Sequence, residues 1–298
     1  MKIILVGNYA PDNQESMERF TTMLYKGFTD TGIKVEIWKP IVFFGSLFNS
    51  TSAGLPKWFG YLDKWLLFPL ILTYRIRKRK YKKELIKFHI CDHSNAPYLQ
   101  YLPKKQTVIT CHDVLAIRGA LGFKDAYCQA TPMGTLLQKW ILKNLLRANK
   151  LAAVSNFTLN QLKELSPNSQ NKNDWRVIHN AFNAKFEKMG DNQSIFLLKQ
   201  MGLNENESFL LHVGSDLERK NRKLLLKLVA YLDHNWHGKI YFAGQPIEND
   251  LINLAKELKI MDRVVSITKP NHNQLLALYS TCEAFIFPSY SEGFGWPV

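Results

Sequence analysis

The final residues, Phe285-Ile286-Phe287-Pro288-Ser289-Tyr290-Ser291-Glu292-Gly293-Phe294-Gly295-Trp296-Pro297-Val298, form an apolar run followed by a glycine-bracketed loop that carries one carboxylate. Gly293 and Gly295 allow a sharp bend and let a ligand approach the backbone N–H groups. Glu292 follows the carboxyl end of the strand, the edge at which open α/β sheets bind ligands. Pro297 suits a first helical turn. The same residues also fit an ordinary turn. Lys220 comes five residues after Val213-Gly214-Ser215 and opens a helical pattern, where an ammonium and a helix amino end together attract phosphate. Arg219 and Arg222 flank it and read either as further phosphate ligands or as a solvated helix face. His112-Asp113 follows the run Val108–Cys111 and is either structural or functional. Asp92, His93 and Asn95 form another polar cluster after Phe88–Cys91.

Positioning these side chains requires strands that deliver them to one sheet edge. Short apolar runs recur at Lys2–Val6, Lys34–Trp38, Phe88–Cys91, Val108–Cys111, Leu151–Val154, Val177–His179, Phe209–Val213, Lys239–Ala243, Val264–Ile267 and Ala284–Phe287. Helical periodicity appears between them at Glu15–Thr29, Leu136–Leu146, Thr158–Leu165, Asn221–Leu232 and Asn273–Cys282. Alternation of this kind predicts parallel sheets covered on both faces. The stretch Asn180–Asn206 is rich in Asn, Asp and Gly and separates the two groups of strands. A domain boundary near Lys185 follows, giving domains 1–185 and 186–298.

Charge divides at the same place. The net charge of +14 is +15 over residues 1–186 and −1 over the rest. Much of the excess is Arg75-Ile76-Arg77-Lys78-Arg79-Lys80-Tyr81-Lys82-Lys83, preceded by an aromatic and aliphatic stretch from Trp58 to Leu72. Asp63, Lys64 and Pro69 interrupt that stretch, which is too short to span a bilayer. It reads either as a segment lying on an anionic membrane surface or as a core-packed helix with a solvated basic end. No nucleic-acid motif accompanies the basic run, so nucleic acid is not an expected partner. Four scattered cysteines, Cys91, Cys111, Cys128 and Cys282, lack the spacing of a zinc site or a disulfide framework. They fit reduced thiols in the cytoplasm, and the aromatic and basic segment adds the inner face of the membrane as a second place of residence. The amino terminus reads as a first strand and turn and not as a signal peptide. No Asp-x-Asp pair, Gly-Lys-Ser/Thr loop or Gly-x-Gly-x-x-Gly after the first strand is present, so neither a metal nor a cofactor is expected.

The terminal loop resembles the donor-site loop of the retaining glycosyltransferases of family four. The likeness continues through Val6-Gly7-Asn8-Tyr9-Ala10-Pro11 with Gln14-Glu15-Ser16-Met17, His89–Asn95, Thr110-Cys111-His112-Asp113, Ala153–Thr158, Val177–Asn180 and His212-Val213-Gly214-Ser215. It implies an α/β chain of two doubly wound Rossmann-like domains facing a cleft, the GT-B fold, with acceptor on the first domain and nucleotide diphosphate sugar on the second. The activity implied is metal-independent transfer of the sugar to a glycan or lipid-linked acceptor with retention of configuration. Such transfer needs charge stabilisation for the departing diphosphate and hydrogen bonds that orient the sugar. The resemblance gives Lys220 the diphosphate, beside Gly214 and Ser215, with Arg222 or Arg219 replacing the Arg that the family has where this chain has Ser215. Gly293, Phe294 and Gly295 would offer N–H groups to the sugar, and Glu292 and His112 would be catalytic. The family's Gly-Gly loop near the acceptor is missing here, which leaves Asn13, Gln14, Glu15 and Ser16, with His93 and Asn95, as the acceptor-side candidates. The family's second Glu would fall just beyond Val298. The second domain is therefore expected to be incomplete and transfer impaired, with a catalytically inactive remnant that binds an acceptor or partner as the alternative.

Overall fold

The computed structural model describes residues 1–48, 51, 54–78, 85–166, 174–182 and 184–297. The chain divides into two compact units, Met1–Phe123 with Gln129–Asn183, and Lys124–Cys128 with Ala184–Val298.

In unit 1 the elements are β1 (Lys2–Val6), α1 (Glu15–Asp30), β2 (Lys34–Trp38), α2 (Gly54–Leu62), a π-helical turn (Asp63–Leu67), α3 (Phe68–Arg77), β3 (Ile86–Ile90), β4 (Thr107–Cys111), α4 (Leu115–Ala120), α5 (Pro132–Leu145), β5 (Lys150–Ala153), α6 (Asn156–Glu164) and β6 (Asp174–Val177). Its strands pair in parallel in the order β2-β1-β3-β4-β5-β6. Ile4, Val6, Ile90, Ile109, Cys111, Leu151 and Ala153 bury one face of that sheet in the main core.

Unit 2 holds α7 (Asp191–Gln200), β7 (Phe209–Gly214), α8 (Arg222–Leu232), β8 (Lys239–Gly244), α9 (Asn249–Glu257), β9 (Val264–Thr268), α10 (His272–Thr281) and β10 (Ala284–Phe285). The sheet order is β10-β7-β8-β9, again parallel. Successive strand residues point to opposite faces, so Leu210, Ile240 and Phe242 join one core while Phe209, Leu211 and Tyr241 join another. Near-continuous apolar runs are what such double coverage requires.

Several local expectations need correction. Asn180–Asn206 is not simply a connection: Asp191–Gln200 within it forms α7, whose Leu198 is buried. The sixth strand lies earlier than Val177–His179, at Asp174–Val177, because Trp175 anchors it by donating to the Ala148 carbonyl at 2.9 Å. The last strand stops at Phe285 instead of Phe287. Pro288, with no N–H to give to a ladder, follows soon after. The last helix begins at His272 behind Asn271, which makes a capping box with Gln274.

The aromatic stretch forms a continuous helical rod, α2, the π turn and α3. Leu55, Trp58, Leu62, Leu66, Leu70 and Tyr74 are its exposed apolar residues. Spacing by fours drifts around an ordinary α-helix of 3.6 residues per turn. The wider π turn takes up more residues per turn and counters that drift. The opposite side carries Asp63, Phe68 and Leu72, all fully buried. Among the described residues, no helix is long and apolar enough to cross a membrane. Arg79, Lys80, Lys82 and Lys83 of the basic run lie outside the described residues.

Candidate functional site

In both sheets the strand order reverses direction next to the first strand, between β1 and β3 in unit 1 and between β7 and β10 in unit 2. Loops leaving the two strands at such a point diverge and open a crevice. In unit 2 the loop after β7 runs through a short turn, Glu218–Lys220, to Asn221, whose left-handed backbone (φ 52°) turns the chain into α8. The loop after β10 crosses to meet it. Tyr290 donates its N–H to the Arg219 carbonyl at 2.9 Å, and Asn221 donates to the Pro288 carbonyl at 3.3 Å.

Glu292 is seated between two cations. Lys220 Nζ lies 2.6 Å from Oε1 and Arg219 Nη1 lies 2.7 Å from Oε2. The Lys220 ammonium also sits 4.8 Å over the Phe287 ring. Burial lowers the affinity of Lys220 for its proton, partly offset by Glu292. Burial would raise the Glu292 carboxyl, but the Lys220 hydrogen bond and charge and then the Arg219 charge outweigh it, and the pKa falls. The trio thus carries one net positive charge at a strand-end crevice. A cavity of about 500 Å³ lies alongside the start of α8, with Asp216, Asn221, Lys223, Lys227 and Glu248 on its walls.

The expected pair therefore meets, but with each other: Lys220 and Glu292 are joined here, and the second cation is Arg219. Arg222 is corrected as a phosphate ligand. Its guanidinium is buried and donates to the Gly214, Gln245 and Pro246 carbonyls at 3.1, 3.0 and 3.2 Å, tying the ends of β7 and β8 together. Gly214 closes β7, and Ser215 is half-buried just beyond it. Gly244 lies beside it at φ 128°, where a Cβ would stand 2.6 Å from the Gly214 oxygen. Gly295 adopts φ 86°, which a bend of that kind reserves for glycine, while Gly293 and Phe294 occupy the same loop. His212, fully buried, donates from Nδ1 to the Ile286 carbonyl at 3.1 Å and joins β7 to the start of the β10 loop. Sequence reasoning placed this His in a segment of the resemblance but gave it no role, because its strand reads simply as apolar.

In unit 1, Asn8 from the β1 loop donates to Asp92 after β3 at 2.6 Å, contacts Gln14, and accepts from Asn95 at 2.9 Å. Ser94 donates its N–H and hydroxyl to Asp92 at 3.1 and 2.5 Å, and His93 Nδ1 is 3.2 Å away. Burial opposes ionisation of Asp92, yet His93, His112 and Ser94 hold its pKa well below the usual range. His93 is correspondingly raised, its burial outweighed by Asp92. His93 and Asn95 thus belong to one network with Asn8 and Asp92. Asn13, Glu15 and Ser16 do not converge with them: all three are exposed, and Glu15 pairs with Arg19 at 3.6 Å. Of the four candidates from this loop, Gln14 is the one that joins the network, through Asn8.

His112 is buried, donates from Nε2 to the Cys91 carbonyl at 2.9 Å and meets the Phe20 ring edge-on at 4.5 Å. Burial lowers its pKa, so the ring is neutral near pH 7. With Nε2 donating, Nδ1 is left as an acceptor.

Beside this network lies a second one that the sequence did not announce. Asp63, fully buried, accepts from the Tyr9 hydroxyl at 2.6 Å and from the N–H groups of Phe43, Phe44 and Gly45 at 3.1, 3.0 and 2.9 Å. Its neighbour Lys64 reaches Asp12 at 2.7 Å. Among the described residues no group of three or more His, Cys, Asp or Glu side chains is arranged to hold a metal ion.

Residues 194–298 match the family model of Glycosyl transferases group 1. That region contains the Lys220–Glu292–Arg219 trio. Over 125 residues the chain is 27% identical to the O-antigen chain mannosyltransferase RfbU of Salmonella typhimurium, covering 40% of this chain and 34% of that protein. Over 204 residues it is 25% identical to the D-inositol 3-phosphate glycosyltransferase of Mycolicibacterium vanbaalenii, covering 63% of this chain and 43% of the relative. The aligned region thus spans less than half of either curated relative. A glycosyltransferase crystal structure from Rickettsia africae superposes with a TM-score of 0.64 at 17% identity, over 100% of this chain and 75% of that one. The expected α/β class of two Rossmann-like units holds, and it is the fold of solved GT-B glycosyltransferases.

Proposed function

We propose that this chain is a glycosyltransferase that takes a sugar from a nucleotide diphosphate sugar and passes it to an acceptor hydroxyl with retention of configuration. The observation that carries this reading is the net positive trio of Lys220, Arg219 and Glu292 at the switch point of unit 2. As the glycosidic bond breaks, its electron pair leaves with the diphosphate, and two fixed cations in a partly dry site stabilise that charge better than water does. Glu292 keeps both cations in place before the donor arrives and then accepts a hydrogen bond from the sugar. Gly293, Phe294 and Gly295 supply backbone N–H groups to its hydroxyls. His112, neutral and with Nδ1 available, accepts from a sugar hydroxyl and holds the reactive geometry. Asn8, Gln14 and Asn95 serve the acceptor side.

We place the protein in the cytoplasm, against an anionic membrane surface. The exposed stripe Leu55, Trp58, Leu62, Leu66, Leu70 and Tyr74 supports that placement, with Lys57, Arg77 and Lys78 exposed around it. Each cation near such a surface contributes about 1 kcal/mol.

Titration calorimetry with UDP, GDP and ADP against the matching nucleosides tests the donor site. Lys220→Met should weaken diphosphate binding by roughly 10- to 150-fold, as expected for a charge-assisted hydrogen bond of about 1.5–3 kcal/mol, and leave nucleoside binding nearly unchanged. Equal loss for both ligand types rules the role out. Release of nucleotide diphosphate from a panel of donors then separates a working transferase from a protein that only binds.

A further inference from the structure

Asn8, His93, Asn95 and His112 all follow the carboxyl ends of strands in unit 1. At the opposite, amino edge of the same sheet lies a separate cavity of about 330 Å³, walled by Leu99, Gln100, Lys104, Thr107, Arg147 and Asn149. Thr107 opens β4, and Arg147 and Asn149 belong to the turn between α5 and β5. Leu99 and Gln100 lie near the end of a 3-10 helix, His93–Tyr101, whose first residue sits in the Asp92 network. Along β4 the step from Thr107 to His112 is roughly 16 Å at about 3.3 Å per residue, so one small ligand cannot touch both.

Most of the cavity surface is apolar. Leu99 packs on the main core, and Thr107 is buried with its hydroxyl given to the Pro103 carbonyl at 2.8 Å. The aliphatic stems of Lys104 and Arg147 extend that floor. The charge is at the rim. Lys104 and Arg147 are both exposed, and neither has a carboxylate partner among the described residues. Asp174, the acid that opens neighbouring β6, is paired with Arg176 instead. Two uncompensated positive charges, one a planar fork and one a point, match a phosphate monoester, which carries about −1.5 to −2 at neutral pH. A carboxylate would leave one cation unanswered, and inorganic phosphate would leave the apolar floor uncovered. The volume stands at the lower end for small-molecule sites, roughly 300–1,000 Å³, which suits one ring with its phosphate.

We infer that this cavity is a second ligand site on unit 1, remote from the Asp92 network, and that it takes a small soluble phosphate monoester with an apolar face. The phosphate lies between Lys104 and Arg147, the ring over Leu99, and the Gln100 and Asn149 amides at the edge. Of the elements that meet at the cavity, β4 leads to His112 and the helix His93–Tyr101 leads back to His93. An occupant therefore stands behind those two side chains, in the position of an effector and not of a substrate. The inference does not depend on the transferase reading.

Titration calorimetry of the full chain with phenyl phosphate tests it, beside inorganic phosphate, benzoate and phenol. Phenyl phosphate should bind at least about tenfold more tightly than any of the other three. Lys104→Met and Arg147→Met should each weaken it by roughly tenfold, the lower end for a charged contact because both side chains are exposed. That exposure also keeps the fold out of the result. Lys143→Met removes an exposed cation of α5 outside the cavity and should change nothing. Lys220→Met should also leave the affinity unchanged, which separates this site from the cationic crevice of unit 2. Inorganic phosphate binding as tightly as phenyl phosphate overturns the inference in favour of a plain anion patch, and benzoate binding as tightly overturns the match to a dianion. An equal loss in Lys143→Met reduces the site to a diffuse basic surface. Vesicles of phosphatidic acid supply the last arm: capture that Arg147→Met abolishes and phenyl phosphate cannot displace would assign the two cations to a lipid headgroup and overturn the soluble ligand.

Discussion

Asp63 in unit 1 and Glu292 in unit 2 are both carboxylates held by several partners inside a fold, and they do opposite work. Asp63 is fully buried and takes four donors, a phenol and three backbone N–H groups, none of them charged. Its ligand capacity is filled by the protein itself. Glu292 has two charged donors, retains some exposure and leaves a positive remainder beside an open crevice. A carboxylate saturated by neutral donors fixes a loop, here the segment Phe43–Gly45 against the π turn. A carboxylate that only half-neutralises two cations holds them ready for a second anion. The lesson is that the sign of the remainder, and not the number of hydrogen bonds, separates a structural carboxylate from a candidate ligand-binding one.

The strongest test removes the saturated one. Asp63→Ala leaves three N–H groups and a hydroxyl unsatisfied at about 1–3 kcal/mol each, so with partial relaxation the loss should be about 3–5 kcal/mol in urea denaturation of unit 1. Nucleotide affinity of the folded fraction should not move. A loss below about 1 kcal/mol would erase the contrast.

Acid sensitivity comes next. His212 has its pKa pushed down to about 4 by burial, partly countered by its bond to Ile286, against about 6.5 when unfolded. A depressed folded value means that the contribution is intact above pH 6.5 and is lost as pH falls from 6.5 through about 4, by about 3 kcal/mol in all. Glu292, also lowered, adds a loss only further into acid, below the ordinary Glu range. His212→Asn keeps a donor for Ile286 and should make the limb between pH 6.5 and 4 shallower, with the buried His89 and His112, both also lowered, supplying what remains. An unchanged limb in the variant would assign the acid loss to other groups.

Smaller again is Gly244→Ala. Strain at φ 128° and a 2.6 Å approach to the Gly214 oxygen should cost about 2 kcal/mol, and by spreading β7 from β8 should also weaken diphosphate binding. A stable variant with normal binding would show that the crevice tolerates a wider sheet edge.

The mildest change in stability is expected for Glu292→Gln, at about 1 kcal/mol or less, since an amide oxygen still accepts from one cation. The ligand effect is the informative part: with the neutralising charge gone, free nucleotide diphosphate should bind roughly five- to tenfold more tightly, while sugar transfer falls. Weaker diphosphate binding would mean that Glu292 is needed to position the cations more than it competes with the ligand.

Much of this is legible in the sequence. Runs such as Phe209–Val213 and Lys239–Ala243 are apolar on both strand faces, which only a doubly covered parallel sheet can use, and the amphipathic stretch Glu15–Thr29 had one helical solution. Glu292, Lys220 and His112 stood out because their segments resemble the donor-site segments of a known family; taken alone, the Glu292 loop also read as an ordinary turn and His112 as a structural side chain. Which of them meet was not legible. Lys220 and Glu292 are 72 residues apart, and the chain order of strands does not reveal that β10 returns to lie beside β7. Arg219 and Arg222 are equally basic in sequence; helix phase and the β8 loop turned the first toward Glu292 and the second onto backbone carbonyls. Asp63 could not be read at all, since the donors that define it come from residues 9 and 43–45. Local propensity is set by neighbours along the chain and so is written in the sequence, whereas pairing across a sheet edge depends on strand order, which only the packed structure decides.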